Sequence, residues 1–291
     1  MSQEYFVRRF KDDCIPHSRK YDMTPRFTPF GNHTLIGVGH SASISECAKY
    51  DQKALNSFYK TISQAQTLIM EGSRSNMFNM LQEYGTFEQT ALQRFSRMHS
   101  PDHMHFLEDN YDDSEAGRKH GFDPHDFLVI ITFGDIYVTG GVEKLRRLTP
   151  ETIAKGAHNF LKANAGYQYL NTSKLANIMT ILRENLIRLP AEFLGKNDNN
   201  LFINAWNICV WYHAIVRDIE TITPEWKKVT DSSKGKTATV IGDLHVPSLS
   251  LVAKGKEIPP LPDWHDFVNM LGENHQEAVL LTERILHEKV D

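Results

Sequence analysis

Cysteine is scarce in this 291-residue chain, and what little there is excludes two classes. Cys14, Cys47 and Cys209 are far apart, odd in number and without C-x-x-C spacing, which argues against a disulfide framework or a zinc knuckle and for reduced thiols. Long apolar runs are also missing: no segment reaches the roughly eighteen uninterrupted apolar residues of a membrane span. The start MSQEYFVRRFKDD carries charges where a secretory signal needs an apolar core, so the cytoplasm is the expected location and no membrane partner is expected. The formal net charge of -4 gives no global attraction to a phosphate backbone. Neither G-x-S-x-G nor HExxH occurs. Ser233-Lys234-Gly235-Lys236-Thr237 ends like a phosphate loop, but Thr230 stands where that loop needs glycine, and its flanks read as polar loop rather than strand and helix.

What remains is a composition that folds. Hydrophobic residues make up 41% and charged residues 23%, and the length is within reach of one large domain with a sizeable core. Histidine is the one excess, at 14 copies, and invites metal, haem or proton-transfer chemistry.

The periodicity predicts a mainly α protein: a single large helical bundle over 41–291, preceded by an irregular arm at 1–40 and interrupted by a long polar loop at 225–262. Leu55, Phe58, Tyr59, Ile62, Ala65 and Ile69 repeat at three and four, which predicts one helix from about Ser43 or Ser45 to a stop at Gly72. A second helix is expected over 75–98 on Met77, Met80, Leu81, Tyr84, Leu92 and Phe95, weakened at Gly85 by about 1 kcal/mol. Residues 108–121 read as a polar surface loop. Asp123-Pro124 and Thr149-Pro150 read as cap and first residue of further helices, the first carrying a β-branched run that fits a strand nearly as well. Residues 173–189 form an amphipathic helix stopped by Pro190. Asn197 or Asp198 opens LFINAWNICVWYHAIVRDIETI, apolar around nearly its whole circumference as a central buried helix should be, and Asp263 opens the last helices.

In that central helix His213 shares a face with Trp206, Cys209, Val210, Val216 and Arg217. An imidazole among large apolar residues suits an axial haem ligand, with Arg217 available to a propionate; a core histidine bonded to a carbonyl fits the same pattern. The order AWNICVWYHAIVRDI, SSKGKT, DWHDFVNML resembles that of the indoleamine and tryptophan dioxygenase superfamily of haem-dependent aromatic oxygenases. There a late helix carries the proximal histidine, a polar glycine-containing loop follows and a last helix closes the bundle. The resemblance implies a haem cofactor with His213 as the iron ligand beside Trp206 and Arg217, and a small aromatic substrate. AGYQYLNTS at 165–173 also looks like the glycine-rich GYxYL segment of the tryptophan enzymes, with His158 upstream competing for the proximal role. The family's arginine-containing substrate motif has no counterpart.

His99, Asp102, His103 and His105 form a second cluster, and His99, His103 and His105 are the candidates for a distal acid or base, or for a hydrolytic metal site. Ser100-Pro101 also reads as a helix start, which makes these residues solvated members of a first turn. Asp123 and Asp126 in HGFDPHD fall at cap positions, and Asp243-Leu244-His245 is a lone acid–imidazole pair in a loop. The sequence therefore predicts a haem-dependent oxygenase of a small aromatic molecule. The alternative is a non-enzymatic, nucleoprotein-like helical protein that assembles and holds RNA through Arg8, Arg9, Lys11, Arg19, Lys20 and Arg26 of its arm, diluted by Glu4, Asp12, Asp13 and Asp22.

Overall fold

The computed structural model describes residues 2–13, 24–39, 44–74, 85–163, 165–167, 169–189 and 200–289. The chain divides into two compact units, one of Met1–Pro16, Asp112–Val216 and Pro259–Asp291, the other of His17–Tyr111 and Arg217–Ile258. The protein is mainly helical, as the periodicity predicts, but the expectation of a single helical bundle is corrected by a five-stranded mixed sheet in the second unit.

That sheet comprises β1 (Arg26–Phe30), β2 (His33–Val38), β3 (Thr67–Met70), β4 (Met104–Phe106) and β5 (Thr237–Gly242), in the order β1-β2-β5-β3-β4. β1 returns antiparallel on β2, while β2, β5, β3 and β4 run parallel. Parallel strands bury both faces, and here successive residues feed two separate cores. Ile36, Val38, Leu68, Met70, Ala238 and Val240 pack under α2 (Ile44–Tyr50), α3 (Gln52–Gln64) and α4 (Phe87–Ser96), through Cys47, Leu55, Phe58, Ile62, Phe87 and Phe95. Leu35, Ile69 and Ile241 pack on the other face against Trp226, Val229 and Leu249, from α10 (Thr223–Ser232) and α11 (Val246–Ala253).

Four sequence expectations change here, the first being the polar surface loop at 108–121, which contains a helix, Asp113–His120. The segment read as an irregular arm, 1–40, contains α1 (Ser2–Asp13), whose Phe6 and Phe10 are buried, and the first two strands; Arg19 and Lys20 lie outside the described residues. The helix expected to run to Gly72 ends at Gln64, where Ala65 turns extended, and Ile69 belongs to β3. The loop at 225–262 contains most of α10, all of β5 and α11. Of the helix expected at 75–98, Met77, Met80, Leu81 and Tyr84 lie outside the described residues, as do Asn197 and Asp198.

The other unit is helical, with α1, α5 (Asp113–His120), α6 (Pro124–Arg146), α7 (Pro150–Ala163), α8 (Thr172–Arg188), α9 (Leu201–Arg217, its last residue belonging to the sheet unit), α12 (Trp264–Leu271) and α13 (Glu273–His287). Caps set the boundaries: Asp123 accepts from the His125 amide, Asn171 from Lys174 and Asp263 from Asp266, each filling an orphan donor of a first turn. The β-branched run after Asp123 is helical. Leu175, Ile178, Met179, Leu182 and Leu186 give α8 its buried stripe. Buried Asn185 on that stripe donates to the carbonyls of Ile285 (2.6 Å) and Glu288 (2.7 Å) at the end of α13. Asn185→Ala, which strands both carbonyls, should lower stability by about 1–3 kcal/mol in urea melts. A loss under about 0.3 kcal/mol would mean these bonds do not anchor α13.

Candidate acid–base site at the carboxyl edge of the sheet

The helices that follow β2 and β3 cover one face of the sheet, whereas α11, which follows β5, covers the other. β5 lies between β2 and β3, so the connections part on either side of its carboxyl end. In open α/β sheets ligands enter at such switch points, outside the carboxyl ends of the strands. Here those ends deliver chemistry-bearing residues: Glu71 directly follows β3, Glu108 follows β4 by two residues, and Asp243 and His245 follow β5. Gly37 makes room for this edge, since a Cβ there would collide with the Asp243 carboxylate and with Val246 Cγ2.

His245 is the centre of the group. Its side chain is 2% exposed, and its Nδ1 meets Asp218 Oδ1 at 2.7 Å while its Nε2 meets Glu71 Oε1 at 3.1 Å. Burial opposes a charge on the ring, but the Glu71 and Asp218 carboxylates outweigh it and push its pKa up to about 9. His245 is therefore an imidazolium at neutral pH, donating from both nitrogens. Asp218 sits in a π-helical turn, Asp218–Ile222, that directly continues α9; such turns often mark functional positions. Its other carboxylate oxygen accepts from Ser248 Oγ, and its backbone carbonyl accepts from Thr223 Oγ1 at 2.7 Å. Ser248 thus lies on the Asp218 side of the imidazole rather than at Nε2, which rules it out as the nucleophile of a Ser-His-Asp triad in this arrangement.

Glu71 accepts from Gly242 N–H at 2.6 Å on Oε2, and from Arg217 Nη2 at 2.7 Å and His245 Nε2 on Oε1. Arg217 also donates through Nε to Glu108 Oε1. The result is a sheltered carboxylate–imidazolium–carboxylate row with a guanidinium at its side, a constellation for moving protons between fixed positions. Among the described residues no group of three or more His, Cys, Asp or Glu is arranged to hold a metal ion.

The structure redistributes the residues chosen from the sequence. His213 is buried in α9, with Nε2 at 2.8 Å from Asp113 Oδ1 and with Phe122, Phe127 and Tyr167 rings around it at 6.2, 6.5 and 6.3 Å. A carboxylate on one nitrogen and three aromatic rings about the imidazole are the surroundings of a buried core histidine, one of the two readings that the sequence left open. Trp206 packs against Gly134 of α6, where a Cβ would overlap the indole. Arg217, expected at a propionate, pairs with Glu71 and Glu108 instead. His158 is on the exposed side of α7.

His99 stacks on Phe95 (4.4 Å between centroids), His103 is exposed on a short 3-10 turn, and His105 lies within β4 opposite Ile69. His99 and His103 precede β4 and His105 is its middle residue, whereas His245 follows the carboxyl end of β5, and none of the three is bonded to the His245 group. Ser233–Thr237 has helix before it and strand after it, the reverse of a phosphate loop. Arg9 is buried against Trp211 and paired with Asp13 at 3.2 Å, which removes it from any phosphate-binding arm.

Glu71, Glu108, Asp218 and Ser248 escaped the sequence reading, and Asp243-Leu244-His245 was read as an isolated pair. The signal was there in LIMEG and TVIGDLH, two β-branched or apolar runs that each end on an acid beside glycine. Compared with known protein families, with curated proteins and with solved structures, the chain matches none. Among the described residues no helix is long and apolar enough to cross a membrane.

Proposed function

We propose that this chain is a hydrolase whose reacting centre is the Glu71–His245 pair at the carboxyl edge of the sheet. The observation that carries the reading is the buried His245 held between Asp218 and Glu71. Charged at neutral pH, its imidazole is a proton donor for a leaving group. Glu71, fixed by Gly242 N–H and Arg217, is the acceptor for the proton of an attacking water that replaces its 3.1 Å bond to His245 Nε2. Asp218 and Ser248 orient the imidazole.

The test is a panel of activated carboxylic esters, amides and phosphate esters with the native chain, Glu71→Gln and His245→Ala. Glu71→Gln and His245→Ala are each expected to lose about 10²–10⁴-fold in kcat/KM with folding retained. Equal rates in the native chain and both variants would overturn the assignment, and hydrolysis of nothing on the panel would overturn the reaction class. An absorbance spectrum of the same protein, expressed with haem precursor, tests the oxygenase alternative, which requires a Soret band lost in His213→Ala.

A further inference from the structure

One oxygen of Glu71 serves two cations. Oε1 accepts from Arg217 Nη2 at 2.7 Å and from His245 Nε2 at 3.1 Å, so guanidinium and imidazolium share a single acceptor. Arg217 is itself divided, because its Nε donates to Glu108 Oε1. Exposure is graded in the same direction: the side chains are 18% exposed at Arg217, 11% at Glu108, 8% at Glu71 and 2% at His245. The other groups that face the imidazole from the surrounding elements are Asp218 of the π-helical turn, bonded to Ser248 of α11, and Asp243 belongs to the same loop as His245, against Gly37 of β2.

We infer that Arg217 and Glu108 are positioning residues of the acid–base pair: the guanidinium draws negative charge from the Glu71 oxygen that faces His245, and Glu108 sets how far it does so. The physical reason is that a guanidinium donates through a planar fork, and two carboxylates on different N–H groups hold it in a fixed place that neither would define alone. With Glu108 charged, the pull of Arg217 is split, and His245 feels much of the Glu71 charge. With Glu108 neutral, Arg217 bears on Glu71 alone and His245 gives up its proton more readily. With Arg217 removed, the full Glu71 charge faces the imidazolium and holds its proton more tightly.

The idea rests on the acid–base reading of the Glu71–His245 pair, but its test needs no substrate. Histidine ring resonances of the full chain are followed by NMR against pH, with His245→Ala to assign the signal, in the native protein, Arg217→Gln, Arg217→Lys and Glu108→Gln. The native midpoint is expected near 9. Arg217→Gln should move it up and Glu108→Gln down, each by roughly half a pH unit or more, and Arg217→Lys, which keeps the charge but not the fork, should stay within roughly half a unit of native. Opposite displacements are a signature that general loosening of the site does not produce. Shifts of the same sign in Arg217→Gln and Glu108→Gln, or none in either, would overturn the inference. Should Arg217→Gln fail to fold, Glu108→Gln against Arg217→Lys decides it: a downward shift confined to the glutamine variant supports it, and equal midpoints defeat it. Opposite shifts in a chain that hydrolyses nothing keep this inference and defeat the hydrolase reading; hydrolysis with an unmoved titration does the reverse.

Discussion

Asp218→Ala should be the most damaging single change in the sheet unit, lowering its stability by about 3–5 kcal/mol, because it leaves the fully buried His245 beside only one carboxylate. Asp218 has no exposed surface and also accepts from Ser248, whose hydroxyl loses its acceptor. The loss depends on pH. His245 has its folded-state pKa raised from 6.5 to about 9, so its contribution is fully present below about pH 6.5 and disappears as the pH rises through 9. The native chain should therefore become less stable between pH 6.5 and 9.5, and Asp218→Ala should lose much of that slope. A chain of two units can unfold in more than one step, so the measurement is hydrogen exchange resolved to residues 237–252, which carry β5 and α11. Protection in Asp218→Ala equal to native at pH 6.5 would show that the buried pair does not hold this part of the fold.

Trp211→Ala should cost the helical unit about 3–5 kcal/mol, the usual result of emptying a large aromatic site in a core. Trp211 is fully buried, stacks on Phe267 at 5.2 Å, takes the edge of Phe10 at 5.5 Å and donates from Nε1 to Asp13 Oδ2 at 2.9 Å. Its partners come from both ends of the chain, α1 and α12, so the substitution should also release α1. Limited proteolysis after residue 11 or deletion of residues 2–13 should then destabilise the unit by a similar order, where a detachable arm would leave its melting unchanged. Trp211→Phe keeps the stacking and loses the indole bond to Asp13, and about 1 kcal/mol is the expected cost. An alanine variant that melts with the native chain would place the core of this unit elsewhere.

How far the sequence could be read follows from what each signal measures. A cap is a local event: Asp123-Pro124 and Asp263 start their helices as expected, because the side chain bonds an amide two or three residues on. The buried stripe of α8 and the apolar circumference of α9 were equally legible, since the spacing of side chains around a helix is a property of the chain alone. Short strands were not. Ile62, Ala65 and Ile69 keep a three-and-four spacing across the break at Ala65, and a run as brief as TLIM carries too few residues to contradict it. TATVIG lies between polar stretches, and its β-branched residues become a central strand only because β2 and β3 flank it.

The same division separates residue chemistry from the site. The abundance of histidine, the want of paired cysteines and the mainly helical character belong to the chain itself. Which histidine does the chemistry does not, because Glu71 lies 174 positions from His245, Asp218 lies 27 from it, and the three meet only where parallel strands end side by side. His213 and His245 each sit beside a carboxylate, yet one is walled by aromatic rings and the other shares its glutamate with an arginine. An imidazole's role depends on the charges and walls within a few ångströms of it, and those are supplied by distant segments that only the packed sheet brings together.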